Sequence, residues 1–289
     1  MKPHEPRRAL ERPHHHDRWR GGAKFSFLLI CTAVVCSPFQ VMPKHFPSWF
    51  RWLAALALAS TSALIHAAPF EDTMAQRTQA CTACHGNQGR AAADGYYPRL
   101  AGKPAGYLYN QLLNFKEGRR HYGLMTQLVD PLTDAYLLEI AQYFSQIEAP
   151  YPAPLRTSTP AAILDTGRQL VLQGDAARGV PACVQCHGQA MTGVLPATPG
   201  LLGLPRDYVN AQLGAWKAGQ RRAHAPDCMK AVVAKLSDAD IFAVSSWLAA
   251  QAVPADAHAV ASRPALAAGA KVVTCGSAPM VSTPPKAQP

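Results

Sequence analysis

Charge is scarce in this chain. Only 16% of its 289 residues are Asp, Glu, Lys or Arg, against roughly 25% in a typical soluble domain, which excludes a disordered polyelectrolyte. Long apolar runs are missing too: no stretch of about 18 uninterrupted apolar residues recurs, so the chain is not a polytopic membrane protein. Alternation of apolar and polar residues with period two is never sustained, which argues against a sheet-built fold. No arginine-rich stripe interleaved with aromatics offers itself to nucleic acid, and no nucleic-acid partner is expected. What is present, 48% hydrophobic residues, suits a compact globular protein of about two domains.

The formal charge of +10 is unevenly spread: residues 1–68 hold nine Lys/Arg against three Asp/Glu, a net +6, and the other 221 residues hold 19 against 15, a net +4. Residues 1–68 read as a leader. Arg51-Trp52 opens the apolar run Leu53–Ala59, which closes on Ser60–Ala68, small residues for the most part. A basic start, an apolar centre and a small-residue end are what a Sec-type signal peptide needs, with cleavage near Ala67 or Ala68 and export to the periplasm. An uncleaved anchor, which would tether the protein to the membrane, is the alternative. Ahead of this run, Phe25–Cys36 is only twelve residues long, too short to span a bilayer comfortably. Met42-Pro43-Lys44-His45-Phe46 forms an n-region of ordinary length. Translation is therefore expected to start at Met42, and His14-His15-His16 reads as part of a mis-assigned extension rather than a metal site.

Beyond the leader the chain repeats itself. Cys81-Thr82-Ala83-Cys84-His85-Gly86 recurs 102 residues later as Cys183-Val184-Gln185-Cys186-His187-Gly188. At an offset of 101, Leu100, Gly102, Pro104, Tyr107, Gln111 and Leu112 meet Leu201, Gly203, Pro205, Tyr208, Gln212 and Leu213, and Phe115-Lys116 meets Trp216-Lys217. At 104, Met125, Leu132, Asp134 and Tyr143 meet Met229, Leu236, Asp238 and Trp247. Two duplicated domains follow, 69–149 and 161–251, joined by a proline-rich linker at 150–160 that can neither continue a helix nor enter a ladder. Residues 252–289 are Ala/Pro-rich, and a poorly ordered tail is expected there.

Each repeat reads as helical. Apolar residues recur with helix period after Thr133-Asp134 and Ser237-Asp238, over Tyr107–Phe115 and Tyr208–Trp216, and over Ile163–Gln173. The expected fold class is all-α, as two tandem small helical domains, each too small to bury much without help.

Cys-x-x-Cys-His is the spacing of covalent haem c attachment. Two thiols on one turn reach the two vinyl groups, and the next residue places an imidazole under the iron. Cys81, Cys84 and His85, with Cys183, Cys186 and His187, are therefore the candidate haem-binding residues for two covalently bound haem c groups. Two rival readings are a Cys₄ zinc site drawn from both pairs, which would leave the histidines idle, and a disulfide within each pair. Iron that only shuttles electrons needs a sixth ligand, and a thioether favours the ferrous state. Met125 lies 40 residues after His85 and Met229 lies 42 after His187, each just before the last helix of its domain. His85, Met125, His187 and Met229 are thus the candidate iron ligands. His121 and His224 are imidazole rivals, and Cys228, beside Met229, is a thiolate rival. Cys228 reads equally as a structural thiol or as the partner of Cys275. Met191 is too close to His187 to reach the opposite face, and Met74 and Met280 have no counterpart in the repeat.

On the paired Cys-x-x-Cys-His motifs, the Pro-x-Leu-x-Gly segment at Pro98–Gly102 with its partial counterpart Pro199–Gly203, and the methionine followed seven residues later by Leu-Thr/Ser-Asp, the chain resembles the dihaem class I cytochromes c of the cytochrome c4 family from about Phe70 to Gln251. The resemblance implies two cytochrome c folds, His/Met ligation, a periplasmic location and one-electron transfer between respiratory redox proteins such as an oxidase, reductase or dehydrogenase. An electron carrier, not an enzyme, is expected, with peripheral membrane association as a further expectation. Lys103, Lys116, Arg119, Arg120, Lys217, Arg221 and Arg222 are docking candidates, though simple solvation serves most of them equally well. Two alternatives remain. A dihaem peroxidase or thiosulfate dehydrogenase would need an open site or a cysteine ligand, and a tethered cytochrome subunit of a dehydrogenase or oxidase would keep the leader as its anchor.

Overall fold

The computed structural model describes residues 71–91, 95–154, 156–265 and 273–279. The expectations for the leader, the Met42 start and Met280 lie outside these residues.

Each repeat is a set of helices closed over its own apolar core. In the first repeat α1 (Met74–Arg77) and α2 (Gln79–His85) lead to α3 (Ala105–Lys116), α4 (Gly123–Val129) and α5 (Asp134–Ser145). The second has α6 (Ala161–Leu172), α7 (Val184–His187), α8 (Arg206–Lys217), α9 (Cys228–Val233) and α10 (Asp238–Ala249). Short-range chemistry sets their starts. Pro104, Pro160 and Pro205 stand at the N-caps of α3, α6 and α8, where a fixed φ suits a helix entry. The Thr133 hydroxyl accepts from the Tyr136 N–H at α5. Ser237 and Asp240 satisfy each other's backbone N–H groups at α10, a capping box. Between α7 and α8 lies the only regular pairing among the described residues, an antiparallel hairpin of β1 (Gly193–Val194) and β2 (Thr198–Pro199).

The first core gathers Leu108, Tyr109 and Leu113 of α3 against Leu137, Leu138, Ala141 and Phe144 of α5. The second gathers Leu170 and Val171 of α6, Val209 and Leu213 of α8, and Ile241, Val244 and Leu248 of α10. The same clasp holds both. Lys116 Nζ donates to Leu132 O at 2.7 Å and Asp134 Oδ1 at 2.8 Å, and Lys217 Nζ donates to Leu236 O at 3.0 Å and Asp238 Oδ1 at 2.6 Å. Helices α6 and α10 cross at Gly167, where an added Cβ would lie 2.2 Å from Ala243 O. Only glycine permits that approach.

The halves meet through matched elements. Arg120 and Arg221 form an antiparallel bridge flanked by Arg222 N–H to Arg119 O at 2.6 Å and His121 N–H to Gln220 O at 3.3 Å. Gly106 N–H donates across to Pro196 O at 3.1 Å. Two docking candidates are corrected here. Lys103 and Arg221 are each only 4% exposed, because both point into the contact between the repeats rather than into solvent.

Described residues beyond 251 are tied back to both repeats. Val260 runs parallel to Val194, exchanging backbone bonds with Gly193 O at 3.0 Å and the Leu195 N–H at 2.9 Å. Further on, Cys275 is joined to Cys228 by a disulfide, and Gly276 N–H donates to Pro226 O at 2.8 Å. Asn110 of α3 then grips Ser277 Oγ at 2.8 Å and the Ala278 N–H at 2.9 Å. Ala278 is buried in the first core. A composition of Ala and Pro carries no periodicity, but a cross-link and backbone bonds hold these residues all the same.

Candidate functional site

Helices α2 and α7 end on the two histidines, with the first cysteine of each motif one turn earlier and the second immediately before the histidine. After each histidine a glycine turns the chain away, at φ 76° for Gly86 and 87° for Gly188, a region that side chains with a Cβ avoid. His85 and His187 are 6% and 7% exposed. Each is oriented in the same way: His85 Nδ1 lies 2.8 Å from Pro98 O, and His187 Nδ1 lies 2.7 Å from Pro199 O. A carbonyl can only accept, so Nδ1 carries the proton and the Nε2 lone pair is left for a metal. Burial lowers the pKa of both imidazoles, against the opposing pull of the two carbonyls. Neutral imidazole, the ligating form, is favoured. The sequence motif placed Pro98 and Pro199 near the site without revealing that their carbonyls aim the rings.

No disulfide joins Cys81 to Cys84 or Cys183 to Cys186, so the reading of a disulfide within each pair does not hold. Burial raises the thiol of Cys81 and pushes that of Cys183 up to about 12. Among the described residues no three His, Cys, Asp or Glu side chains are placed to share a metal ion. A Cys₄ zinc site, which needs thiolates brought together, is thereby set aside.

Met125 lies on α4 and Met229 on α9, half-buried, each packed on the core that also receives the first cysteine of its motif, Cys81 or Cys183. The imidazole rivals are placed elsewhere: His121 is exposed, and His224 Nε2 pairs with Arg119 Nη2 at 2.9 Å. Cys228 is committed to its disulfide, and Met191 is packed in the second core.

Two arginines stand where the repeats meet. Arg120 reaches Gln111 Oε1, Gln212 Oε1 and Tyr208 Oη at 3.2, 2.7 and 3.2 Å, while Arg221 reaches Gln212 Oε1 and Gln111 Oε1 at 2.8 and 2.9 Å. Their guanidiniums lie over the rings of Phe115 and Trp216, at 4.5 and 3.8 Å. Burial, with the neighbouring Arg120 charge, lowers the pKa of Arg221. Neither arginine has a carboxylate in ion-pair range among the described residues. Trp216 Nε1 is buried without a hydrogen-bond partner, at the edge of the core that Met229 also joins. Two thiols, an aimed imidazole and a thioether in each half, with the unpartnered Trp216 N–H in the second, fit a covalently held porphyrin.

No family model matches the chain. A thiosulfate dehydrogenase electron acceptor of Thiomonas intermedia (strain K12) is 40% identical over 198 residues, 68% of this chain and 90% of its own. Cytochrome c4 of Pseudomonas aeruginosa is 33% identical over 198 residues, 68% of this chain and 96% of its own. The chain belongs to the cytochrome c4 family. The crystal structure of reduced recombinant cytochrome c4 from Pseudomonas stutzeri superposes with a TM-score of 0.54 at 33% identity, over 61% of this chain and 96% of that one. The fold is accordingly all-α but for one small hairpin, and the protein is a dihaem c-type cytochrome, an electron carrier and not an enzyme. Its partners are redox proteins. Among the described residues no helix is long and apolar enough to cross a membrane.

Proposed function

We propose that Cys81 and Cys84 would hold one haem c, with His85 and Met125 as its iron ligands, and that Cys183 and Cys186 would hold the second, with His187 and Met229. When bound, each haem supplies one-electron exchange at iron. The chain does the rest. The Pro98 and Pro199 carbonyls fix the two imidazoles in the tautomer that would bind iron, and the two helical cores would seat the apolar parts of the haems. An iron held by both a histidine and a methionine would have no open position for substrate, which suits outer-sphere transfer alone. The observation that carries this reading is the duplicated aiming of His85 and His187, each onto a proline carbonyl at 2.7–2.8 Å, with a methionine at matched positions.

Domains 69–149 and 161–251 are each assigned one haem, with 150–160 between them. The leader is assigned as a signal peptide delivering the protein to the periplasm. The Thiomonas relative, an electron acceptor of thiosulfate dehydrogenase, supports a donor that oxidises thiosulfate, with a respiratory oxidase or reductase as acceptor. The ligand set is tested by redox titration of Met125→His and Met229→His against the parent, with the absorption band of methionine on ferric iron recorded alongside. Each substitution is expected to remove its share of the band and to lower one midpoint. Two unchanged midpoints overturn the assignment. The donor is tested by mixing oxidised protein with a thiosulfate dehydrogenase and thiosulfate. Reduction no faster than with thiosulfate alone removes that partner.

A further inference from the structure

Resting on the assignment of His187 as an axial ligand, we infer that Lys103 sets the difference between the two haem potentials: its ammonium, reaching out of the first repeat, raises the potential of the haem held by the second. Lys103 is 4% exposed, and its Nζ donates to Gly200 O at 2.9 Å. Gly200 follows Pro199, the residue whose carbonyl aims His187. The ammonium therefore stands behind the proximal ligand of the other repeat. No carboxylate pairs with it among the described residues. Arg99, a cation that bears on Lys103, is occupied with the carbonyls of Ala101, Ala149 and Pro150 and lies over the Tyr151 ring. A buried cation disfavours the more positive of two nearby redox states, and ferrous haem carries one positive charge fewer than ferric.

The asymmetry is written in the duplication. At the offset that pairs Pro104 with Pro205, the counterpart of Lys103 is Leu204, so no matching cation reaches the Pro98 carbonyl of the first repeat. Arg120 bears on His85 as Lys103 bears on His187, but Arg120 is only half-buried and is shared among Gln111, Gln212 and Tyr208. Arg263 also faces His187 but is exposed, and water screens it.

The test is spectroelectrochemical titration of the secreted dihaem protein as parent, Lys103→Met, Lys103→Gln and Lys103→Arg. The second haem is identified as the one whose midpoint falls in Met229→His. Lys103→Gln can keep the bond to Gly200 O while removing the charge, so it stands in if Lys103→Met does not fold. Neutral variants are expected to shift the partition of an electron between the haems about tenfold toward the first, about 59 mV for a one-electron couple. Lys103→Arg is expected to leave it near the parent value, and Leu204→Lys to raise the midpoint of the first haem. Equal movement of both midpoints, or none, in a neutral variant that retains two haems overturns the inference. A parent that carries no second haem overturns instead the assignment on which it rests.

Discussion

Removing the Cys228–Cys275 disulfide asks how much of the fold depends on the tail. The bond closes a loop of 47 residues, and the loop-entropy relation for a cross-link of that span gives about 4 kcal/mol. In a protein of this size each kcal/mol moves the melting temperature by about 2–4 °C, so the double variant Cys228→Ser/Cys275→Ser is expected to melt about 8–16 °C below the parent. Circular dichroism without reductant measures it. The single variant Cys275→Ser adds a second reading, because it leaves a free thiol beside Met229. The methionine–ferric band of the second haem is expected to weaken in the single variant as thiolate competes, and to persist in the double. A double variant melting within about 2 °C of the parent would show that the tail constrains nothing. Identical spectra for the two variants would refute the competition.

Two further outcomes follow from burial. Burial, with the nearby Arg99 charge, pushes Lys103 down to about 8 from 10.5, so between those values the unfolded chain binds the proton that the folded one has lost, and parent stability rises with pH. Lys103→Met is therefore expected to be up to about 3 kcal/mol more stable than the parent near neutrality, the gain vanishing above the unfolded pKa; denaturant midpoints at the two ends of this window measure it, and a constant difference refutes it. Gly167→Ala places a Cβ 2.2 Å from Ala243 O and forces α6 from α10, at a cost of about 1–3 kcal/mol. An unchanged urea midpoint would contradict that crossing.

The features readable from the sequence were those with a local signature. Cys-x-x-Cys-His declares its chemistry by spacing, Thr133 and Ser237 announce helix starts by side-chain type, and the repeat singles out Met125 and Met229 as positional partners. What stayed hidden depends on contacts distant along the chain. Lys103 and Arg221 read as solvated charge because nothing near them in sequence tells that they turn toward the other repeat. The proline carbonyls of Pro98 and Pro199 belong to backbone, which the side-chain pattern does not address. The pairing of Cys228 with Cys275 was one option among several, since a covalent bond leaves no periodic trace in the Ala/Pro-rich stretch it anchors.

The contact between the halves has a geometry that outlasts any single bond in it. Arg120 sits on Phe115 and reaches Gln212, while Arg221 sits on Trp216 and reaches Gln111, so each half offers the other a version of its own surface. A self-complementary face is what a two-fold homodimer uses. Tethering two such faces in one polypeptide turns an encounter between molecules into an intramolecular one, with an effective concentration in the millimolar range for a short linker. The halves can then diverge residue by residue without losing each other.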